Sequence, residues 1–245
     1  MAATDITVTD MFCGAGGMTT GAMRAGADVQ LAINHWSRAI ETHNTNYPDT
    51  THVLTDLHKA SPKRFRRTNI LCAAPECTNH SIAKGHRRKG QGQLELWDTE
   101  EPDLTAEAEE RSRCTMWTPL DWAEYHDYSM VLLENVVDAY LWRPFQSWLQ
   151  AWKSLGYEFE LVYFNSMHAH PTPQSRDRMY FVGWKRGMRR PDLKITPLAY
   201  CALCERNVES VQSWKNPNRR YGKYRQQYVY RCPHCACEVI PYYVE

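Results

Sequence analysis

The feature that most constrains this chain is the alternation, over its first 185 residues, of short β-rich runs with helical stretches. That pattern predicts a mostly parallel sheet covered by helices on both faces. Strands are expected at Ile6 to Met11, Val29 to Ile33, His52 to Leu54, Ile70 to Ala73, Met130 to Leu133, Phe159 to Phe164 and Met179 to Val182. Helices are expected at Thr19 to Ala25, Ser37 to Asn46 and Pro144 to Leu155. In the last, Trp148, Leu149, Trp152 and Leu155 form an apolar stripe at helical spacing, which reads as core packing. The polar stretch from Lys84 to Glu110 is too long for a simple connector and reads as a functional loop or a disordered segment. After Lys185 the composition turns to Arg, Pro, Tyr and Cys, which puts a boundary near Arg190 to Thr196.

In an open α/β sheet, ligands bind beyond the carboxyl ends of the strands. The first strand runs into Phe12-Cys13-Gly14-Ala15-Gly16-Gly17, where glycines admit a close backbone approach and the following helix start offers free N–H groups. It is neither the dinucleotide fingerprint nor a P-loop. The fourth strand runs into Pro75-Glu76-Cys77-Thr78-Asn79-His80-Ser81. Cys77, with Lys84, Arg87 and Arg88 downstream to lower its pKa, is a candidate nucleophile. Cys72, inside an apolar strand, reads as a buried small hydrophobe.

Charge is segregated in a way the net charge of +1 conceals. Ser61 to Gly90 holds eight Lys/Arg and one acid, Gln91 to Glu110 eight acids and no Lys/Arg, and Val211 to Arg231 six Lys/Arg and no acid. The basic blocks suit a polyanion, although for any one block a solvated face is the plainer reading. No uncharged apolar run approaches the ~18 residues a membrane helix needs. Met1 to Asp10 carries acids and threonine, not a basic then apolar leader. The expectation is a soluble intracellular protein with no membrane association and no obligate protein partner.

Five of the nine cysteines, Cys201, Cys204, Cys232, Cys235 and Cys237, fall in the last 45 residues. Cys201-Ala-Leu-Cys204 and Cys232-Pro-His-Cys235, separated by 27 residues, are paired knuckles of the kind that bind Zn2+ tetrahedrally. Cys237 or His234 is available as a substitute ligand. Between the knuckles lie Trp214, Lys215, Arg219, Arg220, Tyr221, Lys223, Tyr224, Arg225, Tyr228 and Tyr230. Basic and aromatic side chains interleaved on a hairpin can hold phosphates and touch bases. The alternative is that these rings pack the ribbon onto the core.

Taken in order, Phe12-Cys13-Gly14-Ala15-Gly16-Gly17, then Cys77, then Glu134-Asn135-Val136, then Gln174-Ser175-Arg176-Asp177-Arg178, the chain resembles the DNA (cytosine-5)-methyltransferases over roughly residues 5 to 185. The resemblance implies a Rossmann-like S-adenosylmethionine-dependent methyltransferase sheet over residues 1–190. It leaves residues 191–245 as a small zinc ribbon for target recognition. It implies Cys77 as the nucleophile adding at cytosine C6, Glu134 at the N3 edge, and Arg176 and Arg178 at O2, on a cytosine flipped out of double-stranded DNA. Cofactor residues by the same likeness are Phe12, Gly14, Gly16, Gly17, Asn34, His35, Asp56 and Leu57. DNA contacts are expected from Ser81, Lys215, Arg219, Arg220, Lys223 and Arg225, and the Lys84 to Glu110 segment matches the family's closing loop. The location implied is the cytoplasm of a bacterial or phage-infected cell.

Four departures stand out. The place where the family has a ribose-binding Glu reads Asn34-His35-Trp36. An acid, Glu76, sits beside Cys77, where it raises the thiol pKa unless it points away. No Gly-Asn-Ser/Ala-Val motif closes the chain, and the recognition region is small. An RNA cytosine methyltransferase, a non-catalytic zinc-dependent DNA-binding protein and an altered one-carbon donor stay open as rivals.

Overall fold

The computed structural model describes residues 6–76, 115–168 and 174–242. Cys77, Ser81 and the Lys84 to Glu110 segment lie outside the described residues. Seven strands make the main sheet: β1 (Thr7–Met11), β2 (Asp28–Asn34), β3 (Thr51–Leu54), β4 (Ile70–Ala73), β5 (Met130–Val136), β6 (Tyr157–Asn165) and β7 (Asp177–Lys185). Their order is β3-β2-β1-β4-β5-β7-β6. β7 alone runs antiparallel to its neighbours β5 and β6. Its first residues therefore stand at the sheet edge where the parallel strands end, and Arg178 is in register with Val136.

The helices are α1 (Gly17–Arg24), α2 (Ser37–Asn46), α3 (Thr118–His126) and α4 (Phe145–Ser154). The stripe on α4 packs as its spacing predicts: Trp148 and Trp152 are fully buried and meet Phe181 of β7 at 5.0 and 5.1 Å between ring centroids. Trp148 also donates its indole N–H to the Met116 carbonyl at 2.7 Å, so its one polar atom is satisfied in the core.

Three expectations need correction. β5 does not stop at Leu133 but continues through Glu134, Asn135 and Val136, because β7 pairs with all seven of its residues. The alternation along β5 buries Val131, Leu133 and Asn135 on one face. β7 likewise starts at Asp177, not Met179, so Arg178 is a strand residue. The helix α3 was not expected at all. Its signal was present: Pro119 in the first turn, where a missing N–H costs nothing, and Thr118, Trp122 and His126 four apart on the buried face.

The tail forms two small sheets, β8 (Leu198–Cys201) with β9 (Arg206–Glu209), and β10 (Val211–Trp214), β11 (Tyr228–Arg231) and β12 (Glu238–Val239). Each cysteine knuckle sits where a hairpin turns, Cys201/Cys204 between β8 and β9 and Cys232/Cys235 between β11 and β12. Lys215 to Arg225 lie in the connection between β10 and β11, not on the strands. Tyr228 and Tyr230 are buried within the tail. Tyr221 stacks on Tyr140 at 3.9 Å, Trp214 meets Tyr163 edge-on, and Tyr224 lies against His168. For these rings the packing role is the observed one. Among the described residues no helix is long and apolar enough to cross a membrane.

Candidate active site and thiol cluster

The turn after β1 is built on left-handed backbone. Phe12 has φ 57° and Gly16 φ 101°. The Gly16 N–H donates to the Cys13 carbonyl at 2.9 Å, and α1 begins at the next residue. A Cβ on Gly16 would stand 2.3 Å from Tyr47 Cε2, whereas one on Gly17 would meet nothing within 4 Å. The open side of the turn is thus the Gly17 side, at the start of α1, where unpaired N–H groups face outward.

Beneath the turn runs a buried polar chain. Thr19 donates to Asp10 Oδ2 at 2.7 Å, its Oγ1 lies 3.0 Å from His43 Nε2, and His43 Nδ1 lies 2.8 Å from His52 Nε2. Burial pushes the Asp10 carboxyl up to about 7. Burial, then His52, pushes His43 down to about 4. Asp10 Oδ1 has no hydrogen-bond partner among the described residues.

Two buried thiols, Cys13 in the turn and Cys72 in β4, sit in surroundings that disfavour the thiolate. Burial, then Asp10, pushes Cys13 up to about 12, and the same two causes in the same order push Cys72 up further. Both stay protonated near neutrality, which fits the reading of Cys72 as a small hydrophobe.

At the end of β2, Asn34 is buried and its Oδ1 accepts the Trp36 backbone N–H at 3.0 Å. This is the geometry of an ordinary strand-end turn. His35 and Trp36 are exposed beside it. Past β3, Asp56 is half-buried with its Oδ1 accepting from the His58 N–H at 3.1 Å, and Leu57 is buried.

The loop leaving β4 is held from two sides. Asn135 donates to the Pro75 carbonyl at 3.3 Å, and Thr115 donates to the Glu76 carbonyl at 2.8 Å. The Glu76 carboxylate lies 3.7 Å from His35 Nδ1, directed toward the end of β2. At the same edge Glu134 of β5 forms an ion pair with Arg178 Nε of β7, their side chains 21% and 16% exposed. Arg178 also donates to the Asp177 carbonyl at 2.9 Å. Arg176 is exposed, with its backbone N–H anchored to Asn165 Oδ1 at 2.9 Å. The fold therefore joins Glu134 to Arg178 and leaves Arg176 reaching outward.

In the tail, one sulfur atom from each of Cys201, Cys204, Cys232 and Cys235 lies within 4.8 Å of the other three. A tetrahedral zinc with bonds of about 2.3 Å requires sulfurs about 3.8 Å apart. The Cys204–Cys232 separation is 3.8 Å and the Cys201–Cys235 separation 3.5 Å. Cys237 adds a fifth sulfur, 3.4 Å from Cys201 and 3.3 Å from Cys235.

The basic residues of the β10–β11 connection divide by what holds them. Lys223 is half-buried and pairs with Asp138 at 3.3 Å, pinning the tail to the 3-10 turn that follows β5. Lys215 donates to the Arg225 carbonyl at 2.7 Å. Arg219 lies over the Tyr221 ring at 4.4 Å, and Arg220 and Arg225 are exposed. A cleft of about 1150 Å³ opens away from the glycine turn, between β6 and the tail, with Glu160, Arg190, Trp214 and Arg220 among its lining.

Comparison with known proteins follows the same ground. The family model for C-5 cytosine-specific DNA methylase matches residues 6–101 and 106–229. Type II methyltransferase M.HgiDI of Herpetosiphon aurantiacus is 26% identical over 185 residues, 73% of this chain and 52% of that protein. Type II methyltransferase M.HgiGI of the same organism is 32% identical over 91 residues, 36% of this chain and 71% of that protein. Among solved structures, the S. pombe Dnmt2 methyltransferase superposes with a TM-score of 0.56 at 17% identity, over 76% of this chain and 51% of that one. A putative DNA modification methyltransferase encoded within a prophage (E. coli) gives 0.53 at 18% identity, over 89% of this chain and 62% of that one. At those identities the likeness is one of fold, the Rossmann-like methyltransferase sheet. The chain spans about half the length of M.HgiDI and of the Dnmt2 structure. With the model running across both the glycine turn and the Glu134 and Arg178 edge, the chain belongs to the C-5 cytosine-specific DNA methylase family.

Proposed function

We propose that the chain methylates C5 of cytosine in double-stranded DNA, with S-adenosylmethionine as donor. The observation that carries this reading is the Glu134–Arg178 pair, set at the sheet edge where the Pro75–Glu76 loop leads into Cys77. The Cys77 thiolate bonds to ring carbon C6, and the displaced electron pair moves into the ring. Glu134, oriented by Arg178, hydrogen-bonds the N3 edge and stabilises the charge that develops there. Arg176 and Arg178 hold the O2 side. The electron pair at C5 would take the methyl from the donor, whose sulfur would keep the S–CH3 bonding pair and leave as a neutral thioether; loss of the C5 proton to a base would then restore the C5–C6 double bond and expel the Cys77 thiolate.

The donor supplies an electrophilic methyl on a sulfonium. The residues present fit it: the open backbone at Gly14 and Gly17, the N–H groups starting α1, Phe12 at the turn, and Asp56 and Leu57 past β3. Asn34 serves its own turn, so His35 is the outward-facing residue at the end of β2.

Residues 1–190 form the methyl-transfer unit and 191–245 a target-recognition module folded around one zinc on Cys201, Cys204, Cys232 and Cys235. The sulfur spacings support that metal. Arg219, Arg220 and Arg225, exposed on one loop, meet the DNA backbone with Lys215 and Ser81, while Lys223 clamps the module to the turn after β5 through Asp138.

The test is incubation with S-adenosylmethionine and duplex DNA carrying 5-fluorocytosine, in which the ring proton is replaced and the sulfur cannot leave. A covalent adduct that survives denaturation and is lost in Cys77→Ser is expected. Trapping on RNA alone would assign an RNA substrate. No trapping, with metal-dependent DNA binding intact, would leave a binding module.

A further inference from the structure

We infer that Glu76, carried by the loop after β4, is the acid that accepts the ribose hydroxyls of the adenosyl cofactor, with His35 as its positioning residue. The inference rests on the donor reading above. In nucleotide-binding α/β folds the ribose lies over the end of β2, about 20 residues past the glycine turn, where an acid takes its hydroxyls. Here that stretch reads Asn34-His35-Trp36-Ser37-Arg38, without a carboxylate, and Asn34 is consumed by its turn.

The sheet order β2-β1-β4 sets the ends of β2 and β4 two strand spacings apart, about 10 Å. The His35 and Glu76 side chains nevertheless approach to 3.7 Å, so they meet across the end of β1, over the glycine turn. The Glu76 backbone cannot drift, because its own carbonyl is held by Thr115 and that of Pro75 by Asn135. With its backbone held and His35 beside it, this carboxylate can accept two hydroxyl donors. Both side chains are about one-third exposed, at 35% and 36%, so a ligand can reach them. That approach turns the acid toward the end of β2.

The experiment is calorimetric binding of S-adenosylhomocysteine, and of its analogue lacking both ribose hydroxyls, to the full chain and its variants. Removing the hydroxyls should weaken binding to the unaltered chain about 10- to 100-fold, the range for hydrogen bonds to a charged group. Glu76→Ala and Glu76→Gln should lose a similar factor, and should no longer distinguish the two ligands. His35→Ala should weaken binding in the unaltered background and add nothing to Glu76→Ala, which a merely structural role would not produce. Unliganded melting temperatures within a few degrees of the parent keep the comparison one of binding. If Glu76→Ala binds S-adenosylhomocysteine as tightly as the parent, or still discriminates by the full factor, the assignment of Glu76 falls while the donor reading stands. If the parent itself binds no S-adenosylhomocysteine, the donor reading falls and takes this one with it.

Discussion

Replacing Gly16 by alanine tests whether the turn after β1 is a built pocket floor or a tolerant loop. At φ 101° an L side chain strains the backbone, roughly 1–2 kcal/mol. The added Cβ would also stand 2.3 Å from Tyr47 Cε2. That ring is not free to swing aside, because its hydroxyl is hydrogen-bonded to Thr20 Oγ1, which in turn donates to the Gly16 carbonyl at 2.8 Å. Forcing atoms into such a site costs about 1–3 kcal/mol. Together the two effects predict a loss of about 2–5 kcal/mol. Gly17→Ala is the internal control: its Cβ meets nothing within 4 Å, and at the first helical position Ala is favoured over Gly by up to about 1 kcal/mol. Urea unfolding followed by tryptophan fluorescence should show a lowered midpoint for Gly16→Ala at unchanged slope, and none for Gly17→Ala. Gly17→Ala should instead weaken S-adenosylhomocysteine binding, because its methyl enters the open side of the turn. A Gly16→Ala loss below about 1 kcal/mol, or equal stability losses in both variants, would refute the steric reasoning.

Other predictions follow from the same geometry. Asp10→Asn should gain stability relative to the parent as pH rises from 4 to 7. The raised Asp10 carboxyl contributes stability that is present below its ordinary 3.8 and lost as pH climbs through about 7, an effect on the order of 4 kcal/mol at most. A flat difference across that range in pH-dependent unfolding would contradict the burial. His43 acts in the opposite sense: its contribution is present above its ordinary 6.5 and lost as pH falls through about 4, so His43→Gln should flatten the acid limb of the same curve. Arg178→Ala should cost about 1–3 kcal/mol by leaving Glu134 one-fifth exposed without its partner, and should slow turnover more than it weakens DNA binding. Metal analysis should find zinc lost in Cys204→Ser and kept in Cys237→Ser, since Cys237 duplicates sulfurs already within reach. Arg219→Ala with Arg220→Ala should reduce the salt dependence of DNA binding, and Lys223→Ala should leave it nearly unchanged because Asp138 already neutralises that lysine.

Much of the architecture was legible in the chain. Short apolar runs and helical stripes locate strands and helices because periodicity is local, and the ranges of β4 and α2 are met residue for residue. The ends of β5 and β7 were not legible, because each is prolonged by pairing with a strand more than forty residues away. α3 was missed although Pro119 and the spacing of Trp122 and His126 marked it. The basic loop of the tail read as one electropositive surface, yet only tertiary contact with Asp138 separates Lys223 from Arg219 and Arg220.

By itself the sequence determined residue chemistry in order along the chain: the glycine turn, the Glu134 and Arg178 pair of types, and the two cysteine knuckles with their spacing. Only the tertiary structure decided which of those groups meet. The reversal of β7 brings Arg178 to Glu134, and the β2-β1-β4 order sets His35 against Glu76 across the turn. Strand order and direction are fixed by burial and pairing over the whole sheet, a property of no single segment.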